Sequence, residues 1–243
     1  MLGKKNIPEV YGEQDFYAMQ AHISTCFGEV GIVYHEKASP DIHVDICIIK
    51  PAHRRNFYTL VTMGMGAHRM AVPEPLRNGD YDRAELLITL PPGWNVESGD
   101  EKWYWPLRLL KNLARLPVTH KTWLGHSHTV HNGGPFAENT KLCGAMITMP
   151  YNFGSESGAC ELPGGGRVNF YQVVPLHEDE MEYKIENGIE AIEALESLFH
   201  GNFGMVVDVA RKAWQAAKAF ESDSEFGCDY VRGRQYENCI NKT

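Results

Sequence analysis

From Ile42 to Ile49 the apolar residues Ile42, Val44, Ile46 and Ile48 alternate with His43, Asp45, Cys47 and Ile49. A two-residue period places one set on a single face of a β-strand, and Lys50-Pro51 ends it. Phe57, Thr59, Val61 and Met63 alternate with Tyr58, Leu60 and Thr62, which predicts a second strand broken by Gly64 and Gly66. Tyr34 to Glu36 predicts a short strand. Glu85 to Leu90 predicts a buried one, stopped by Pro91-Pro92-Gly93. Three further extended segments are expected at Thr122 to Val130, Ala145 to Met149 and Val168 to Val174. A Gly-rich loop from Asn152 to Gly166 separates the last two.

Elsewhere the period is helical. From Glu9 to about Cys26, the residues Val10, Phe16, Met19, Ile23 and Phe27 fall near one face. Trp105-Pro106 opens a second helix, with Leu109, Leu110, Leu113 and Leu116 as its apolar stripe and Pro117 as its stop. His177 to Asn187 predicts an acidic helix. Ile189, Ile192, Leu195 and Leu198 predict another, and Val206 to Phe220 a last one. Strands come in runs, not in strict alternation with helices. The expected class is therefore α+β, with a mixed, mainly antiparallel sheet packed against several helices. One domain is expected over residues 1–220, followed by a polar tail at 221–243.

The 243 residues are 43% hydrophobic, enough for a full core without covalent staples. A net charge of -8 argues against a general nucleic-acid binder. The residues after Met1 carry charges but no apolar run, and no stretch approaches the ~20 apolar residues that span a bilayer. Neither nucleic acid nor membrane is expected as a partner. The six cysteines, Cys26, Cys47, Cys143, Cys160, Cys228 and Cys239, contain no C-x-x-C pair. This suits a reduced, cytoplasmic protein, with a Cys228–Cys239 disulfide as the open alternative.

Candidate chemistry centres on histidine. His120, His126, His128 and His131 crowd together, and His126 and His128 at i, i+2 would share a strand face. H-S-H-T-V-H approaches the H-x-H-x-D-H pattern of the metallo-β-lactamase family, but Val130 stands where the acid belongs. A metal-dependent hydrolase using His126, His128 and His131 is the alternative reading. Gly164-Gly165-Gly166-Arg167 lacks the Lys-Ser or Lys-Thr of a P-loop and precedes a strand, so it reads as a turn. No G-x-S-x-G is present; Gly154-Ser-Glu-Ser-Gly158 puts Glu156 at the centre. His43 and Asp45 would share a strand face, as an ordinary solvent-facing pair. The run from Trp123 to Phe136 reads as a strand entering an Asn-Gly-Gly-Pro turn. Polar residues on both faces suit a sheet edge, which can accept a partner's strand.

Three ordered blocks resemble the suppressor-of-fused family. Trp105-Pro106 with its Leu-rich helix, followed by Trp123-Leu-Gly-His-Ser-His-Thr-Val-His-Asn-Gly-Gly-Pro-Phe136, resembles the family's W-P helix, its G-[HD]-x-[VI] strand and the polar turn that ends near a Pro. Arg83 to Leu90 resembles its E-L-T-F strand. Val168 to Pro175, with His177 to Met181, resembles its V-x-F-x-Q-I-V strand and acidic helix start. The resemblance spans roughly Ile32 to Phe199. It implies a non-catalytic protein-binding module with no cofactor. In the animal protein this domain takes up a short peptide of Hedgehog-pathway zinc-finger transcription factors as an added strand, helped by a C-terminal domain for which this chain has no room. By that resemblance, Trp123, His126, His128 and His131 are the candidate partner contacts. Short bacterial relatives resemble immunity proteins that neutralise polymorphic toxins, so the implied partner is a toxin domain or an extended peptide.

Overall fold

The computed structural model describes residues 7–188, 190, 191, 194, 195 and 205–213. Within them, eight strands form one sheet: β1 (Val30–Tyr34), β2 (Asp45–Ile49), β3 (Tyr58–Met63), β4 (Ala84–Leu90), β5 (Thr129–His131), β6 (Gly144–Thr148), β7 (Ala159–Glu161) and β8 (Arg167–Leu176). The helices are α1 (Glu13–Cys26), α2 (Glu101–His120) and α3 (Glu178–Asn187). The strand order is β1-β2-β3-β4-β8-β6-β5, with β7 paired to the start of β8. Only β4 and β8 run parallel; every other pair is antiparallel. The expected α+β class with a mixed, mainly antiparallel sheet is what the chain adopts.

Both sheet faces are covered. Ile42, Val44, Ile46, Ile48, Leu86, Ile88, Ala145 and Ile147 pack against the α2 side chains Trp105, Leu109, Leu110 and Leu113. Each fully buried leucine contributes about 1.5–3 kcal/mol. On the opposite face Cys47, Ile49, Val61, Leu87 and Phe170 meet Met19 and Ile23 of α1 and Phe27 at its C-cap. A third cluster, Met146, Val174 and Leu176, lies under Met181 of α3 together with Leu195 and Met205. From the second set of the Ile42–Ile49 alternation, Cys47 and Ile49 are therefore core as well, because α1 shields them. Phe16, expected on the inner face of α1, is 43% exposed.

Several boundaries differ from expectation. The first helix starts at Glu13, since Glu9 instead bridges to Ile42. Helix α2 begins five residues before Pro106 and runs through Pro117. Asp100 caps it by accepting the Lys102 N–H at 3.1 Å. Pro106 cannot donate to the Lys102 carbonyl, and the Asn139 amide fills that place at 3.3 Å. The helix stops only where Lys121 turns left-handed, at φ 50°. The Gly-rich loop contains β7, which docks on β8. Residues 206–213 are not helical, and 214–220 lie outside the described residues, as does the 221–243 tail. Of the Ile189–Leu198 stripe, the described residues 190, 191, 194 and 195 are helical.

Two buried polar arrangements hold the centre. Glu85, with no solvent exposure, accepts from the Tyr11 hydroxyl at 2.7 Å, the Thr62 hydroxyl, and the Gly64 and Gly66 amides at 2.8 and 3.1 Å. Beyond the Leu87–Gln172 pair, β4 and β8 separate, and residues 205–207 enter between them. There the Val207 N–H donates to the Thr89 carbonyl at 2.9 Å, and the Thr89 hydroxyl donates to the Met205 carbonyl at 2.6 Å. The Gln172 amide donates to the Thr89 hydroxyl at 3.0 Å, tying both branches of the fork.

Candidate functional site

Strand β5 ends the sheet, as the edge reading of the Trp123–Phe136 run expected, but it is three residues long instead of nine. The reason is local. Gly125, His126, Ser127 and His128 form a turn closed by the His128 N–H on the Gly125 carbonyl at 3.2 Å, with Ser127 at φ 74°. Ser127 and His128 then both face Ile147: Ser127 N–H donates to the Ile147 carbonyl at 2.7 Å, and Ile147 N–H to the His128 carbonyl at 2.8 Å. Two residues opposite one make a bulge, which bends the chain before the strand begins. His126 and His128 therefore do not share a strand face. His126 sits exposed on the turn, and His128 enters the bulge.

The bulge sets which backbone groups stay open. His128 and Asn132 bond to Ile147 and Cys143, so alternation turns Val130 toward β6 as well. The N–H and C=O groups of Thr129 and His131 consequently point outward, where no described strand meets them. Val130 packs toward the α2 face of the sheet. The far end of the segment is pinned by Phe136, buried and stacked on Trp105 with centroids 4.9 Å apart and planes within 4°. The Arg108 guanidinium donates to the Phe136 carbonyl at 2.8 Å. Beside it an open groove of about 620 Å³ is lined by Asp100, Lys102, Arg108, Phe136 and Asn139.

Trp123 is half-buried. Its ring lies edge-on to His128, 4.3 Å between centroids, and folds back over Gly125, where any β-carbon would strike the indole. Burial pushes the His128 imidazole below its ordinary value; Lys184 and His126 push the same way, and a hydrogen bond with the Trp123 backbone opposes them. A histidine lowered by folding contributes stability that is complete above the unfolded value, about 6.5, and is lost as pH falls through the folded one. The native protein should therefore lose more of its thermal midpoint between pH 7.5 and pH 5 than His128→Gln, which does not titrate. Parallel melting curves check this.

His131 stands apart from the other two. Its Nε2 meets a Glu178 carboxylate oxygen at 2.8 Å, and its Nδ1 accepts the Gly133 N–H at 2.8 Å. The Cys143 thiol donates to the same Glu178 oxygen at 3.2 Å. Trp123 and His128 are thus brought together, while His131 pairs with residues that no local pattern selects. Among the described residues, His126, His128 and His131 do not gather ligand atoms around one point, so the hydrolase reading finds no support. His43 and Asp45 do pair, at 3.0 Å, with Ser39 hydrogen-bonded to His43 at 2.8 Å. The Ser39 hydroxyl donates to Glu36 at 2.7 Å, so its proton belongs to that carboxylate and not to the imidazole. Burial alone would raise Glu36, yet bonds from Ser39, Arg115 and the Val44 N–H bring it below the usual carboxylate range. The cluster reads as an ionic clasp between the β1–β2 connection and α2.

The family model of the suppressor of fused protein (SUFU) matches residues 40–212, well over half of the chain. The chain belongs to the suppressor of fused family. A SUFU-type fold is also seen in the crystal structure of a putative SUFU homolog from Neisseria gonorrhoeae FA 1090, at a TM-score of 0.59 and 17% identity, covering 84% of this chain and all of that one. The Sufu–Fu complex structure matches at a TM-score of 0.61 and 15% identity, over 93% of this chain and all of the other. An uncharacterised protein of Ureaplasma parvum serovar 3 is 26% identical over 207 residues, 84% of this chain and 97% of that protein. Among the described residues of this SUFU-family chain, no helix is long and apolar enough to cross a membrane.

Proposed function

We propose that the chain is a non-catalytic protein-binding module that takes an extended segment of its partner onto the open edge of β5. The observation that carries this reading is the outward pair of backbone donors and acceptors at Thr129 and His131, on an edge held by the Ser127 bulge and the Phe136 anchor. Strand addition draws affinity from such backbone groups and specificity from the side chains beside them. Trp123 and His128 form the wall at the entry, exposed His126 reaches out from the turn, and His131 flanks the added strand. A relative of the same fold is solved as a Sufu–Fu complex, which supports protein binding. A basic toxin domain, masked by this chain as by an immunity protein, is the partner class favoured by the net charge of -8 and by relatives in two bacteria.

The test is Thr129→Pro. Proline there removes an outward N–H and places a ring on the edge, while the Val130 bonds to β6 remain. In co-purification against the products of neighbouring genes, the native chain should capture a basic toxin domain, and Thr129→Pro should weaken capture by about tenfold or more. Equal capture by both chains would remove the edge from the interface.

A further inference from the structure

We propose that His131, Cys143 and Glu178 form a binding site for a divalent transition-metal ion of the zinc class, which would clamp the start of α3 to the edge of the sheet. Three elements converge on one point: His131 ends β5, Cys143 precedes β6 and Glu178 opens α3. Their ligating atoms all lie within 4.8 Å of one another. The convergence is held by packing. Gly144, next to Cys143, leaves its β-carbon space to the Met181 thioether, so α3 lies against the β6 backbone one turn after Glu178.

The donor set is a thiol, an imidazole and a carboxylate, the mixed sulfur, nitrogen and oxygen set that zinc takes and that magnesium or calcium does not. A tetrahedral zinc site needs ligand separations of about 3.3–3.7 Å. The His131–Glu178 and Cys143–Glu178 separations of 2.8 and 3.2 Å are those of hydrogen bonds, and must open by roughly half an ångström to admit the ion. The side chains that must move are the exposed ones: His131 is 42% and Glu178 59% accessible, whereas Cys143 is buried. The fourth position would therefore face solvent.

The protons balance. With Nδ1 accepting the Gly133 N–H, the imidazole proton is on Nε2, which donates to the Glu178 carboxylate. On metal binding the imidazole proton moves to Nδ1, the Gly133 amide turns away, and the Cys143 thiol releases one proton to solvent. Burial and the neighbouring Glu178 push that thiol up to about 12, so the sulfur is unreactive until an ion replaces its proton. Gly133, at φ 82°, lies in an exposed Gly-Gly turn that can reorient at little cost.

The test uses tag-free, chelator-stripped and reduced full-length protein titrated with Co(II). One equivalent should bind with a thiolate-to-cobalt charge-transfer band, displaced by zinc and lost in Cys143→Ser. His131→Gln and Glu178→Gln, at exposed side chains, should weaken binding by more than the roughly 10–100-fold cost of losing an outer-shell partner. Thr129→Pro should leave cobalt binding unchanged, which separates this site from the proposed peptide edge. No thiolate band in the native protein, a band that survives Cys143→Ser, or unchanged affinity in the His131 and Glu178 variants would each overturn the site.

Discussion

Trp105→Ala should lower folding stability by about 3–5 kcal/mol, the cost of emptying a fully buried indole site. The ring has no solvent exposure, stacks face to face on Phe136 and meets the edge of Trp94 at 6.0 Å. Removing it leaves a hole between α2 and the sheet, and Phe136 loses the surface that fixes the end of the Trp123–Phe136 segment. Trp105→Phe should cost distinctly less. The indole Nε1 has no hydrogen-bond partner among the described residues, so the smaller ring gives up volume but breaks no bond. Urea unfolding followed by circular dichroism measures both variants. A loss under about 1 kcal/mol for the alanine variant would mean that the stack does not anchor the segment.

Glu85→Leu should be comparably damaging, at about 3–5 kcal/mol, because four donors around a buried carboxylate would lose their acceptor together. Glu85→Gln keeps the shape but turns an NH₂ toward donors, and should cost about 2–4 kcal/mol. The pH dependence has a definite sign. Burial pushes the Glu85 carboxyl up, against the bonds from Thr62, Tyr11 and the glycine amides. A carboxyl raised by folding contributes stability that is complete below the unfolded value, about 4.3, and is lost as pH rises through the folded one. Glutamine does not titrate, so the gap between native protein and Glu85→Gln should narrow from pH 4 to pH 7. Unfolding midpoints at the two pH values decide it; a widening gap would mean that the carboxyl is held below its ordinary range.

The strong periodicities were legible, and their failures have physical causes. The Ile42–Ile48 alternation located β2 and its inner face, and Leu109, Leu110 and Leu113 located the core stripe of α2. The start of α2 was hidden because the carbonyl that Pro106 orphans is paired by the Asn139 amide, which lies far along the chain from Lys102. The sequence predicts β5 too long because a left-handed Ser127 carries no signal of the kind a glycine gives. Placing the Trp123–Phe136 segment at the edge was legible from its polar residues on both faces. The pairing of His131 with Glu178 and Cys143 was not, since it depends on how α3 returns across the sheet, which no local pattern encodes. The family resemblance supplied what periodicity could not, namely that the same segment belongs to a known fold.

The central fork has a consequence for how the chain is made. Strand β4 leaves the ribosome early and right after its neighbour β3, yet its parallel partner β8 is synthesised only after α2, β5, β6 and β7, and residues 205–207 later still. Through that interval the apolar row Leu86, Leu87 and Ile88 has one unpaired side. The step expected to be slowest and most exposed to aggregation is therefore the closing of the middle of the sheet, not of its margins.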